Sequence, residues 1–204
     1  MRLKNNITWI TSHGTFKVPW LTLLISLIVL VLFAMGPDKN SVFVFNKFEI
    51  KAGATWRLLT GQLIHNNFDH LFWDLFGFMV IGSIVEINGR WKFILSFMLS
   101  AISVSLWMFL LEKDFTVYYG LSGLLNGLLV IAVFVKWKET RNPLFVCIFG
   151  ITALKMTYEV ITKNVFFIDP NIPTIPGTHI AGFIVGILMV YFSKKNIYYS
   201  EVKK

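Results

Sequence analysis

The sequence predicts an all-α polytopic membrane protein, a bundle of six transmembrane helices. Three observations carry that prediction. Apolar residues make up 55% of the 204-residue chain and charged residues only 15%, whereas soluble domains carry about 25% charged residues. The apolar residues fall in six blocks, each near the roughly 20 residues that a helix needs to cross a hydrocarbon core. Lysine and arginine collect mainly in the short segments between blocks and in the tails, as topology signals do. The ten-residue alternation of a membrane β-barrel is absent, and backbone in lipid is otherwise helical.

The blocks are 20–35, 70–87, 91–111, 120–137, 144–161 and 179–192. The first exceeds an ordinary signal-peptide core and no clean small-x-small cleavage site follows it, so it reads as a retained helix. The last is short; it is extended by Ser193 and Lys194 or sits where the bilayer is thinned. Residues 1–19 then form an N-terminal tail, 20–192 one six-helix membrane domain, and 193–204 a basic C-terminal tail. The loop 36–69 is far longer than the connections usual in bundles. Its Phe43, Phe45, Phe48 and Trp56 predict an interfacial structure, with Trp56-Arg57 anchoring the second span.

An even number of spans puts both tails on one side. That side holds Arg2, Lys4, Lys17, Arg90, Lys92, Lys136, Lys138, Arg141, Lys194, Lys195, Lys203 and Lys204, twelve cations in all. The other holds Lys39, Lys47, Lys51, Arg57, Lys113 and Lys163, which is six. The bias predicts cytoplasmic termini. The formal net charge of +8 is therefore a topology signal, and no nucleic-acid partner is expected. Cys147 stands alone and forms no intrachain disulfide.

This direction places the starts of spans two, four and six on the outer side. His65, His70, Ser122 and His179 then share one side at similar depth. Ser122 lies in the first turn of the fourth span, where backbone N–H groups lack helical acceptors and suit an oxyanion. A serine hydroxyl needs a positioned base to become a nucleophile, and His179 is the best placed. Gly182 and Gly186 follow His179 on one helix face, and Gly120, Gly123 and Gly127 make a comparable stripe. Such faces let membrane helices approach closely. His70 and Asp74 are one turn apart and share a face. Asp74 either donates to an oxyanion as a neutral acid or accepts from His70 and fixes its tautomer. A zinc site from His65, His70, Asp74 and His179 has suitable ligand types, but the His-Glu-x-x-His pattern is missing, and no metal or cofactor is expected. Lys155 and Glu159, four apart in the fifth span, read as an internal ion pair. Pro170, Pro173 and Pro176 stiffen the entrance to the last span, where Gly177 lets the chain turn and the loop is a candidate cap.

These features together resemble the rhomboid intramembrane serine proteases: Trp56-Arg57, His65 and His70 with a polar residue at 74, Gly120-x-Ser122-Gly123, and His179-x-x-Gly182-x-x-x-Gly186. The six-span form, the Lys155–Glu159 pair and the segment 120–127 look most like the rhombosortase subgroup. The resemblance implies a serine-type endopeptidase of the bacterial inner membrane. Its substrates would be exported proteins anchored by one span or by a C-terminal Gly-Gly-type sorting segment. It also implies Ser122 as nucleophile and His179 as base in a dyad without a third acidic member. His70, the Ser122 N–H and position 74 would form the oxyanion hole, and His65 would line the cavity. Two positions depart from the family pattern. Asp74 stands where rhomboids usually carry Asn, and Asn126 where many carry a Tyr that stacks on the histidine; Asn126 is then a candidate to hold His179 by a hydrogen bond. The rival readings are an inactive rhomboid-like protein that binds membrane helices and a small transporter. The lipid bilayer is the constant partner, and the oligomeric state is left open.

Overall fold

The computed structural model describes residues 17–36, 42–162 and 175–202, with side chains described as far as 193. The elements run α1 (Trp20–Ala34), β1 (Phe45–Asn46), α2 (Lys47–Lys51), α3 (Arg57–Thr60), a 3₁₀ turn (Gly61–Leu63), α4 (Phe68–Asn88), α5 (Arg90–Leu110), β2 (Val117–Tyr118), α6 (Ser122–Thr140), α7 (Leu144–Thr162) and α8 (Pro176–Val202). The protein is an all-α, multi-pass membrane bundle. Among the described residues, four helices are long and apolar enough to cross a bilayer: α4, α5, α7 and the part of α8 from Pro176 to Ser193.

The two remaining predicted spans differ for separate reasons. α1 has 15 residues, about 22 Å at 1.5 Å per residue, which falls short of a ~30 Å core. α6 has 19 residues but ends in Lys136, Lys138 and Glu139. It needs less apolarity because it faces protein. Gly123, Leu124, Leu125, Asn126, Gly127, Leu128, Val130, Ile131, Ala132 and Val133 are all buried. α4, α5, α7 and α8 pack around it, and Leu121, Leu124, Leu125 and Leu128 pack with Leu71, Phe78, Phe93 and Ala101 in the main core. The lipid-facing sides of α4, α5 and α7 carry exposed Phe72, Trp73, Leu95, Leu106, Ile151 and Leu154, as a bundle solvated by lipid requires.

The long loop is a structured unit, and part of it is core rather than interface. Val44 and Phe45 are fully buried, while Phe48 and Trp56 are exposed. Trp56 Nε1 donates to Val42 O, Arg57 Nη1 to Val44 O and Thr60 Oγ1 to Phe43 O. Trp56-Arg57 therefore clamps residues 42–44 of its own loop. Gly61 allows this, since a Cβ there would lie 2.5 Å from that of Phe45. β1 pairs antiparallel with β2, a short ladder that the sequence did not announce. It ties the approach to α4 to the approach to α6.

At the other end of the bundle Glu86, buried on α4, holds the start of α1. It accepts from the backbone N–H groups of Leu21 and Thr22 and from the Thr22 hydroxyl. A carboxylate at a helix N-terminus satisfies orphan donors and complements the helix dipole. α8 continues to Val202, so the predicted boundary at 192 is not a helix end. Pro170 and Pro173, and with them most of the candidate cap, lie outside the described residues, as do 1–16 of the N-terminal tail.

Candidate active site

α6 and α8 cross at their glycines. A Cβ at Gly182 would overlap the carbonyl oxygen of Gly123, and one at Gly186 would lie 2.5 Å from Gly127 O. A Cβ at Gly127 would lie 2.8 Å from Gly182 O. Backbone thus touches backbone, and side chains at the neighbouring helix starts meet. Ser122 is the first residue of α6. α8 begins at Pro176, so His179 falls in its first turn rather than at its mouth. Gly177 lies inside this helix; its role is to let α8 settle on Trp107, whose indole a Cβ would strike.

The outcome is a hydrogen bond of 3.0 Å between His179 Nε2 and Ser122 Oγ. His179 is 4% exposed. Its other ring nitrogen, Nδ1, lies 2.8 Å from Glu159 Oε2, and Glu159 is completely buried. Lys155 Nζ lies 2.6 Å from Glu159 Oε1. The Lys155–Glu159 pair expected from the sequence is present, but it also reaches His179. A pair without an acidic neighbour, as the resemblance implies, is therefore not what this chain builds. A carboxylate only accepts, so Nδ1 carries the imidazole proton and Nε2 offers its lone pair to the serine.

Asn126 does not hold His179. Its Nδ2 donates to Ser122 O one turn back along α6, because an i, i+4 backbone acceptor on the same helix is closer than a ring on the next. Asn126 buttresses the serine from below instead.

The second cluster joins His65, just before α4, to His70 and Asp74 on α4. His65 Nε2 and His70 Nε2 lie 3.1 and 3.3 Å from Asp74 Oδ2. The same oxygen accepts from Leu121 N–H at 2.7 Å. Asp74 Oδ2 is thus an acceptor that fixes the turn into Ser122. Gly120 makes that turn with φ +107°, a conformation favouring glycine, and a Cβ there would lie 2.5 Å from the His70 ring. His70 Nδ1 is 3.1 Å from Asn66 Oδ1, and its buried Nε2 faces Asp74 Oδ2. The donor atoms of His65, His70 and Asp74 lie within 4.8 Å of one another, a group that, among the described residues, could hold a metal ion. The fourth donor of the zinc reading, His179, is turned away; both its nitrogens are engaged by Ser122 and Glu159.

Sequence reasoning missed Tyr118. It sits on β2, 7% exposed, with its hydroxyl beside Gly123 and the side chains of Thr178 and Ser122. Burial pushes this hydroxyl up to about 12, so it remains a neutral donor. No periodic pattern marks a residue in a two-residue strand. The β1–β2 ladder that places it is legible only in three dimensions.

The rhomboid-domain family profile matches residues 52–196. The chain belongs to the rhomboid family. The match takes in α4 to α7, most of α8 and every residue of the two clusters. The chain is also 25% identical over 164 residues to Rhomboid-like protein 11, chloroplastic, of Arabidopsis thaliana, covering 76% of this chain and 57% of that protein. This rhomboid chain thus spans little more than half the length of the curated relative it matches.

Proposed function

We propose that this rhomboid is an intramembrane serine endopeptidase that cleaves membrane-anchored proteins near the outer surface of the bilayer. The observation that carries the reading is the 3.0 Å bond from His179 Nε2 to Ser122 Oγ, made between helices brought together by glycine contacts. A hydroxyl at hydrogen-bond distance from an imidazole lone pair is an activated nucleophile. Ser122 Oγ attacks the scissile carbonyl while its proton passes to Nε2. The proton is then given to the leaving amine, and water releases the acyl-enzyme. The Ser122 N–H in the first turn of α6 is suited to the oxyanion, and His70, whose Nε2 lies 3.3 Å from Asp74 Oδ2, lines the Gly120 turn that leads into it. Asp74 serves by holding the Gly120–Ser122 turn rather than by donating. His65 supports Asp74, and Asn126 steadies the Ser122 backbone.

In this reading α1 and α6 also span, which gives six transmembrane helices with both termini in the cytoplasm of a bacterial inner membrane. The cation distribution supports that direction. The substrates are exported proteins held by a single span or a C-terminal anchor. The rhombosortase-like features, the Lys155–Glu159 pair and the segment 120–127, favour Gly-Gly-type sorting segments. Co-expression with a reporter ending in a glycine-rich segment, an apolar helix and a basic tail tests the proposal. Cleavage is expected with the intact chain and lost in Ser122→Ala at equal expression and insertion. Persistent cleavage in that variant sinks the proposal and leaves a helix-binding rhomboid as the alternative.

A further inference from the structure

We infer that Lys155 and Glu159 form a charged relay that positions His179, so that the reactive unit is Ser122–His179–Glu159 with Lys155 behind it. This rests on the serine-protease reading of the same site. Three contacts in series define it: 3.0 Å from Ser122 Oγ to His179 Nε2, 2.8 Å from His179 Nδ1 to Glu159 Oε2, and 2.6 Å from Glu159 Oε1 to Lys155 Nζ. The contacts link three helices, α6, α8 and α7, and the carboxylate between them is completely buried.

A buried carboxylate beside a histidine has two uses. It selects the tautomer and orientation of the ring, and it stabilises the imidazolium formed when Nε2 takes the serine proton. Glu159 does not receive that proton. Lys155 is held against the other oxygen of the carboxylate, Oε1. Lys155 also decides how a glutamine would lie at 159. The amide oxygen would turn to the ammonium, leaving the NH₂ group to face His179 Nδ1. Nδ1 would then become the acceptor, the proton would move to Nε2, and the lone pair facing Ser122 would be lost. Glu159 and Lys155 touch neither the serine nor a substrate, so both are positioning residues.

The test uses a fluorophosphonate and the full chain in detergent. The Ser122 oxygen forms a bond to phosphorus, the P–F bond breaks, fluoride departs and the hydroxyl proton passes to His179 Nε2. The maximal labelling rate and the half-saturating probe concentration are measured separately. Glu159→Gln is expected to lower the maximal rate about 10²- to 10⁴-fold with half-saturation unchanged. Adding Lys155→Met to Glu159→Gln lets the amide rotate and present its oxygen to His179. The double variant is expected to label faster than Glu159→Gln alone, a recovery that a purely structural ion pair does not produce. Lys155→Met by itself keeps all atoms of the His179 contact and is expected to slow labelling less than Glu159→Gln does. Wild-type rates in both Glu159→Gln and Lys155→Met overturn the inference, as does a double variant no faster than Glu159→Gln. If the intact chain is not labelled at Ser122 at all, it is the protease reading that fails.

Discussion

Gly182→Ala should force α6 and α8 apart and silence Ser122 while leaving the bundle inserted. The added methyl overlaps the carbonyl oxygen of Gly123. One turn further on, the same change at Gly186 puts a methyl 2.5 Å from Gly127 O and 2.7 Å from the Cβ of Val130, against 3.4 Å for ordinary contact. The helices must then separate by about 0.9 Å, the difference between those distances, and by more at Gly182. Neither neighbour yields, since both are backbone or Cβ atoms. An equal displacement of His179 carries its 3.0 Å bond to Ser122 beyond hydrogen-bond range. A misplacement of 1 Å costs about 10²-fold in rate, and overpacking costs about 1–3 kcal/mol of stability. Gly150→Ala is the control, because nothing lies within 4 Å of that position on α7. Labelling of Ser122 and thermal unfolding in detergent are followed together. Both glycine variants of α8 should lose about 10²-fold in labelling and melt a few degrees lower, and Gly150→Ala should match the parent. Parental labelling in Gly182→Ala would refute the claim that close helix approach assembles the site.

Further outcomes follow from the same contacts. Asp74→Ala removes the acceptor of Leu121 N–H and the partner of His65; a loss of about 1–3 kcal/mol is expected from the groups left unpaired, read as a lower melting temperature. Asp74→Asn keeps an oxygen for Leu121 and should melt between the two. Glu86→Ala strips three hydrogen bonds from the start of α1, and about 2–3 kcal/mol is expected, with unfolding beginning at α1 by hydrogen exchange. Tyr118→Phe deletes only a hydroxyl beside Ser122 and Gly123; labelling should slow while the melting temperature changes by no more than a degree or two.

Much of this molecule is legible as sequence because its physics is one-dimensional. Apolar blocks report lipid, cations report loops, and glycines at three- and four-residue spacing report helix contacts. Gly123, Gly127, Gly182 and Gly186 announced the α6–α8 crossing, and that crossing joins Ser122 to His179. What stayed hidden depends on rotation and tilt. Glu159 was visible as the partner of Lys155, but only the packed angle of α7 turns its second oxygen to His179. Asn126 was offered the same histidine and instead bonds its own helix. Asp74 read as either an oxyanion donor or an acceptor beside His70; the backbone N–H of Leu121, which no side-chain pattern reveals, makes it an acceptor. Tyr118 and the β1–β2 ladder came from two separate loops where no period operates.

The most direct measurement is to locate a fluorophosphonate adduct by peptide mass spectrometry in the intact chain and in His179→Ala. The account predicts one adduct, on Ser122, in the intact chain and none in the histidine variant. An adduct on another serine, or an undiminished adduct on Ser122 without the imidazole, would contradict it.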